Sequence, residues 1–332
     1  MVSRDTYKAA RERAVTMDRS DRGRIVVSGA DRASYLQGLV SNDVVALKPG
    51  EGCYATYLTP QGRMIADLFI YEVGDVILLT VPREQKDAVL AKLDQFIFSE
   101  DVQLGDVTDS FFAMAIVGPD AARVVGGLIG CPASELDALP EHGNRRAALG
   151  GGTAIVTRIT DTGEGGFDTY VEQPHADALR RALAEAGVGA ADSDTAEAIR
   201  IEAGVPKFNL DMDAETIPLE AGIEPRAISL SKGCYVGQEV IIRVLHRGHG
   251  RVARKLVGLT LDDGVVPASG VDVTVENRVI GHVTSSTRSP ALERPIALAY
   301  LHRDFLAPGT AVSVAGQPAV VTALPFVRHV HP

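Results

Sequence analysis

A chain of 332 residues that is 45% hydrophobic and 23% charged can bury sizeable cores and is too apolar for disorder. Its formal net charge of −10 is the reverse of the basic footprint of a general nucleic-acid binder. Three widely spaced cysteines, Cys53, Cys131 and Cys234, with no CxxC, exclude a disulfide framework and a zinc knuckle. The polar opening MVSRDTYKAARERAVTMDRSDRG and the lack of any run near 18 apolar residues point to a soluble, cytoplasmic protein without a membrane partner.

In chain order, the first feature is an internal echo. VSGADRASYLQGLV (27–40) aligns without gaps on IVGPDAARVVGGLI (116–129), matching Gly29 with Gly118, Asp31 with Asp120 and Gly38 with Gly127. Each copy predicts an apolar strand, a glycine turn and a short apolar-faced helix. A second echo pairs TPQGRMIADLFIY (59–71) with TDTGEGGFDTYVE (160–172), matching Gly62 with Gly163 and Asp67 with Asp168. Helices are predicted over 82–97 and 174–187, each opening near a proline, whose missing N–H costs nothing in a first turn. Two echoes in the same order favour duplication over chance convergence. They predict two related α+β lobes with antiparallel sheets, 1–110 and 111–250. Beyond residue 250, short apolar runs from KLVGLTL (255–261) to PAVVTALPF (318–326) alternate with Gly, Pro and Asp turns and show no helical period. They predict an antiparallel β-barrel over 251–332. The fold class is α+β.

The densest motif is SLSKGCYVGQEVIIR (229–243), which joins Lys232, Cys234, Tyr235 and Gln238 between glycine turns. Lys232 two residues from Cys234 favours a thiolate, so one reading is an exposed, tuned thiol. The other is a buried cysteine acting as a small apolar residue. Upstream, DSDTAEAIRIEAGVPKF (192–208) reads as a helix from Asp194 that Gly204 ends. Glu202 near its C-terminus opposes the helix dipole, which marks it for a ligand role, gripping adjacent N–H donors of a pterin-like ring. The alternative is a solvated acid paired with Arg200. RVLHRGHGRVARK (243–255) holds five Lys/Arg and no acid, suiting a carboxylate tail, an acidic protein face or RNA phosphate. It has no aromatic for base stacking, so nucleic acid is the weakest of these. Gly248 and Gly250 break the helix that His246 and His249 would need to share a metal, so no metal site is expected. There is no P-loop, G-x-S-x-G or H-E-x-x-H.

KGCYVGQE (232–239) resembles the signature of the YgfZ group of folate-binding proteins, a branch of the glycine cleavage T-protein superfamily. YLQGLVSNDVVALKPGEGCYATYLTPQGRMIADL (35–68), TGEGGFDTYVE (162–172), IRIEAGVPKF (199–208), IPLEAGI (217–223) and GHVTSSTRSPALERPIALAYL (281–301) extend the resemblance over nearly the whole chain. It implies a ring-like arrangement of two lobes and a barrel, with tetrahydrofolate near the centre. It implies a folate site of Glu202, Arg200, Asp161, Tyr235 and Gln238, and chemistry at Cys234, Lys232 and Asp67. The implied role is assembly or repair of iron–sulfur clusters, with iron–sulfur client or assembly proteins as partners of a monomer. The alternative is an aminomethyltransferase that passes a one-carbon unit to tetrahydrofolate. Against that alternative, T-proteins carry a tandem Asp-Asp where this chain has Ala66 and Asp67, have a Tyr where Asp161 stands, and lack KGCYVGQE.

Overall fold

The computed structural model describes residues 2–246, 250–262 and 264–327. His249, weighed with His246 as a metal pair, lies outside the described residues, as do Arg247 and Gly248 of the basic run.

The chain opens with α1 (Arg4–Glu12), capped by Ser3, whose Oγ accepts the Thr6 N–H. Then come β1 (Val15–Asp18), β2 (Arg22–Ser28), α2 (Arg32–Gln37), β3 (Gly52–Leu58), β4 (Met64–Glu72), β5 (Ile77–Pro82), α3 (Lys86–Asp94) and β6 (Gln103–Asp106). A parallel series follows: β7 (Phe111–Val117), α4 (Ala121–Ile129), α5 (Ala133–Asp137), β8 (Asn144–Leu149), β9 (Gly152–Ile159), β10 (Gly166–Glu172), α6 (Ala176–Glu185) and β11 (Gly189–Ala190). Four helices, α7 (Ser193–Glu202), α8 (Pro218–Ala221), α9 (Glu224–Ala227) and α10 (Gln238–His246), lead to the last strands. These are β12 (Arg254–Leu261), β13 (Asp272–Val275), β14 (Arg278–Ser289), β15 (Arg294–His302), β16 (Ala311–Val314) and β17 (Gln317–Thr322).

The first sheet runs β3-β4-β5-β2-β6 and the second β11-β1-β7-β10-β9-β8. The orders superpose when β2, β3, β4 and β5 are matched with β7, β8, β9 and β10. The first echo lies on this correspondence, since β2–α2 equates with β7–α4. Its glycines are required there: Gly29 and Gly118 have φ of +103° and +116°. A Cβ on Gly29 would come within 2.0 Å of Asp101 O, and one on Gly118 within 2.6 Å of Arg13 O. The helices over 82–97 and 174–187 correspond too, as α3 and α6. The second echo does not. Residues 59–71 lead into β4, whose counterpart is β9, whereas 160–172 lead into β10. A turn-to-strand sequence has been used at two different places of the repeat.

Lobes of 1–110 and 111–250 follow the order of the sequence, whereas the packing exchanges segments between them. β1 pairs antiparallel with β7, Val15 opposite Val117 and Asp18 opposite Met114. The edge of β2 is covered by β6, and the matching edge of β7 would be bare without β1. In the other direction, Phe208, Met212, Leu219, Ile223, Tyr235 and Ile241 pack on Tyr54, Leu58, Phe69 and Leu78 of the first sheet. The barrel closes as β12-β15-β14-β13-β16-β17 around Leu259, Val273, Val283, Ala299 and Val314. Closure leaves it no free strand edge. The architecture is thus α+β, with antiparallel sheets and a C-terminal barrel, as the sequence predicts.

Candidate functional site

Strand alternation builds the site. On β4, Ala66, Leu68 and Ile70 face one core and Asp67, Phe69 and Tyr71 face the other side, toward the second sheet. Asp67 thereby reaches a cavity between the sheets, bordered also by the 19–22 turn, Tyr54, Asp161, Glu197 and Arg226. Asp67 Oδ2 accepts the Tyr54 hydroxyl at 3.0 Å. Its Oδ1 is buried with no hydrogen-bond partner, 3.6 Å from Arg22 Nη1. Arg22 in turn stacks 4.9 Å over the Phe69 ring.

Behind Asp67 lies a second charged group. Buried Arg19 donates from Nη2 to Asp161 at 2.9 Å and from Nε to Asp168 at 3.1 Å, and Tyr170 also donates to Asp168 at 3.0 Å. Burial works to raise the Asp161 pKa, but Arg19 and Arg22 outweigh it and hold that acid below the ordinary range. Burial lifts Asp168 above its ordinary value, against the pull of Arg19. Asp161 Oδ1 has no partner. Arg226 sits over the Tyr54 ring at 5.6 Å and donates to Glu141 at 2.6 Å. It borders both this cavity and a wider one of ≈ 710 Å³ on the far side.

Glu202 lies elsewhere. It is fully buried where α7 meets α1 and the barrel. Its oxygens accept the Tyr7 hydroxyl at 2.7 Å, Arg11 Nη2, the Ser289 hydroxyl and the Ala291 N–H at 3.2 Å. Its carbonyl accepts the Phe326 and Val327 N–H groups at 2.9 and 3.2 Å. The predicted pair with Arg200 does not form, because residues two apart on a helix face different ways. Arg200 pairs instead with Glu197, three residues back, at 2.7 Å, and with Asp211 at 2.7 Å.

The KGCYVGQE segment also lies outside the cavity lining, against the β3 edge of the first sheet. Lys232 is 8% exposed and its Nζ donates to the carbonyls of Gln37, Val40 and Asn42 at 2.6, 2.7 and 2.9 Å. Burial draws its pKa down to about 8. Its charge is therefore spent on the 37–42 turn, and Cys234 is exposed beside it. Tyr235 is buried with its ring 5.1 Å from Lys232 Nζ, and Gln238 opens α10. Of the residues singled out from sequence, Asp67, Asp161 and Arg200 come together at the cavity; Glu202, Lys232, Cys234, Tyr235 and Gln238 do not. Sequence reasoning missed Arg19, Arg22, Tyr54, Glu197 and Arg226. The cluster RSDRGR (19–24) was a usable signal, being four charges beside an apolar strand.

The basic run is partly neutralised from outside itself. Arg243 pairs with Glu239, Arg254 with Glu220 and Lys255 with Glu224. Among the described residues, no group of three or more His, Cys, Asp or Glu side chains could hold a metal ion. No described helix is long and apolar enough to cross a membrane.

Two like sheets, a closed barrel and an acid-and-arginine cavity between the sheets define the class to which known proteins can be compared. Residues 2–232 match the GCVT N-terminal domain family, and residues 254–328 match the glycine cleavage T-protein C-terminal barrel domain. The chain belongs to the glycine cleavage T-protein family. It is 31% identical over 336 residues to the aminomethyltransferase of Streptomyces coelicolor, covering 98% of this chain and 89% of that one. It is 33% identical over 324 residues to that of Rubrobacter xylanophilus, covering 97% and 85%. The crystal structure of glycine cleavage system aminomethyltransferase T from Bartonella henselae shares the fold, with a TM-score of 0.86 at 23% identity over 98% of this chain and 89% of that one. Aminomethyltransferases of the family use tetrahydrofolate as substrate or cofactor. These relatives overturn the iron–sulfur assembly role expected from KGCYVGQE: full-length similarity runs to proteins named for aminomethyl transfer. The iron–sulfur client partners fall with that role.

Proposed function

We propose that this protein is a tetrahydrofolate-dependent aminomethyltransferase of the glycine cleavage type. One observation carries the reading: Asp67 presents a buried oxygen, Oδ1, without a hydrogen-bond partner, to a cavity between the sheets. The donor set fits tetrahydrofolate. Asp161 Oδ1 and the Glu197 carboxylate can accept the amino and ring N–H groups of a pterin. The Tyr54, Phe69 and Phe208 side chains offer apolar walls to flat rings. Arg226, at the junction with the wider cavity, suits a tail carboxylate.

Tetrahydrofolate, when bound, supplies the amine that takes up the one-carbon unit. Asp67 Oδ1 orients that amine and accepts its proton as the new C–N bond forms. The one-carbon unit ends bridging two nitrogens of tetrahydrofolate: two C–N bonds form as the C–S bond to the carrier and the C–N bond of the aminomethyl group break, and the two displaced N–H protons leave on the carrier thiol and on ammonia. Tyr54 and Arg22 hold Asp67 in register. The tandem acid of T-proteins is not needed for this, because Ala66 points into the opposite core. Within the family, KGCYVGQE keeps its likeness to the YgfZ branch, and here its task is anchoring: Lys232 ties the motif to the 37–42 turn.

The test is turnover of an aminomethyl-loaded lipoyl carrier protein with tetrahydrofolate. Methylene-tetrahydrofolate and ammonia are expected in equal amounts. No turnover, under conditions where an established family aminomethyltransferase works, overturns the reading.

A further inference from the structure

Three arginines are buried among the described residues: Arg19, Arg24 and Arg200. Arg19 and Arg200 pair with carboxylates. Arg24 has no such partner. It is 4% exposed, on the same face of β2 as Arg22. Thr108 fixes it: the Arg24 backbone N–H donates to Thr108 Oγ1 at 2.9 Å, and Nη2 donates to the Thr108 carbonyl. Nε and Nη1 are buried and have no hydrogen-bond partner. A guanidinium stripped of water with donors left over is costly, and the cost is recovered when an anion takes them.

The side chain borders a cavity of ≈ 260 Å³, separate from the Asp67 site and on the other side of the Asp18–Arg22 turn. Arg83 lies at the same cavity, its charge matched by Asp109. Two carboxylates also line it, and both are engaged. Asp18 accepts from the Ser20 N–H at 3.0 Å and the Ser20 hydroxyl at 2.5 Å, and Asp109 accepts from Arg83 at 3.0 Å. Burial holds the Arg24 pKa below its ordinary value; Tyr170 opposes this and Arg83 adds to it.

We propose that this cavity binds a small oxyanion, a carboxylate or phosphate group, on the free N–H donors of Arg24, with Arg83 at its mouth. The site does not depend on aminomethyl transfer, and its test does not measure turnover. Crystals of the full chain soaked in selenate should show an anomalous peak within hydrogen-bond distance of Arg24. In calorimetric titrations at constant ionic strength, inorganic phosphate and acetate are the two probes, and the tighter one identifies the group. Arg24→Gln should weaken that probe at least about tenfold, and Arg83→Gln a few-fold, since charge-assisted hydrogen bonds outweigh a charge at the mouth. Equal anion affinity in wild type and Arg24→Gln, or ordered water at Nη1 with no selenate peak, overturns the proposal. If Arg24→Gln does not fold, the selenate position and Arg83→Gln decide it: no peak, or no change in affinity, overturns it equally.

Discussion

Where α7 meets the barrel, Glu202 is surrounded by donors from α1, from the β14–β15 turn and from the chain end near Val327. Between the two sheets, Asp67 has one donor on Oδ2 and an empty Oδ1. Both acids are buried, and both drew attention in the sequence. A carboxylate with every lone pair taken is a structural tie, since its desolvation is already offset within the fold. A carboxylate left partly unsatisfied beside a cavity is waiting for a ligand's donor. Burial alone does not separate the two; the count of donors does.

The comparison predicts a ranking. Glu202→Ala removes the acceptor of the buried Tyr7 and Ser289 hydroxyls and one of two carboxylates on Arg11, which keeps Glu164, so the loss should be about 3–5 kcal/mol of stability, read as a lower urea midpoint. If that variant kept its stability and lost only folate affinity, the contrast between the two acids would collapse. Asp67→Asn should behave the other way. Turnover is expected to drop about a hundredfold or more, with a much smaller change in the urea midpoint than Glu202→Ala gives; unchanged kcat would remove Asp67 from the proton-transfer role.

Lys232 sharpens the contrast from the anchoring side. Lys232→Met loses three hydrogen bonds to the 37–42 turn, a cost of about 1–3 kcal/mol. Its folded pKa, about 8, lies below the roughly 10.4 of an unfolded lysine. The unfolded chain therefore holds the extra proton in that window, and wild-type stability should rise as pH climbs from about 8 toward 10. Stability profiles of wild type and Lys232→Met that run parallel there would contradict this. Cys234→Ser should do least. The thiol is exposed, so a stability change within about 0.5 kcal/mol and normal turnover are expected; a clear loss of turnover would return the motif to the chemistry.

Much of the fold was legible because its signals are local. The barrel showed in alternating runs cut by Gly and Pro, and the repeat in Gly29 and Gly118, whose backbone conformation few other residues tolerate. The cavity was legible only in part. Asp67 and Asp161, which line it, stood out in the sequence, but the surroundings of Glu202 did not, because its partners Tyr7, Arg11 and Ser289 lie about 90 to 195 residues away. Helical spacing was a local signal that could have separated Glu202 from Arg200. Nothing local marked the edge of β7 as needing β1, and Lys232 beside Cys234 looked like a thiol partner because the carbonyls that hold it belong to a distant turn.

The placement of β1 also bears on how the protein is made. Val15 and Met17 leave the ribosome early, yet their partners Val117 and Ala115 follow roughly 100 residues later, a delay of about 5–20 s at ordinary synthesis rates. Until then an apolar strand has no sheet to join, while β2 to β6 can already assemble beside it. The polar helix α1 on one side and the charged Asp18–Arg24 stretch on the other flank that waiting strand, and serve as its gatekeepers against pairing with another nascent chain.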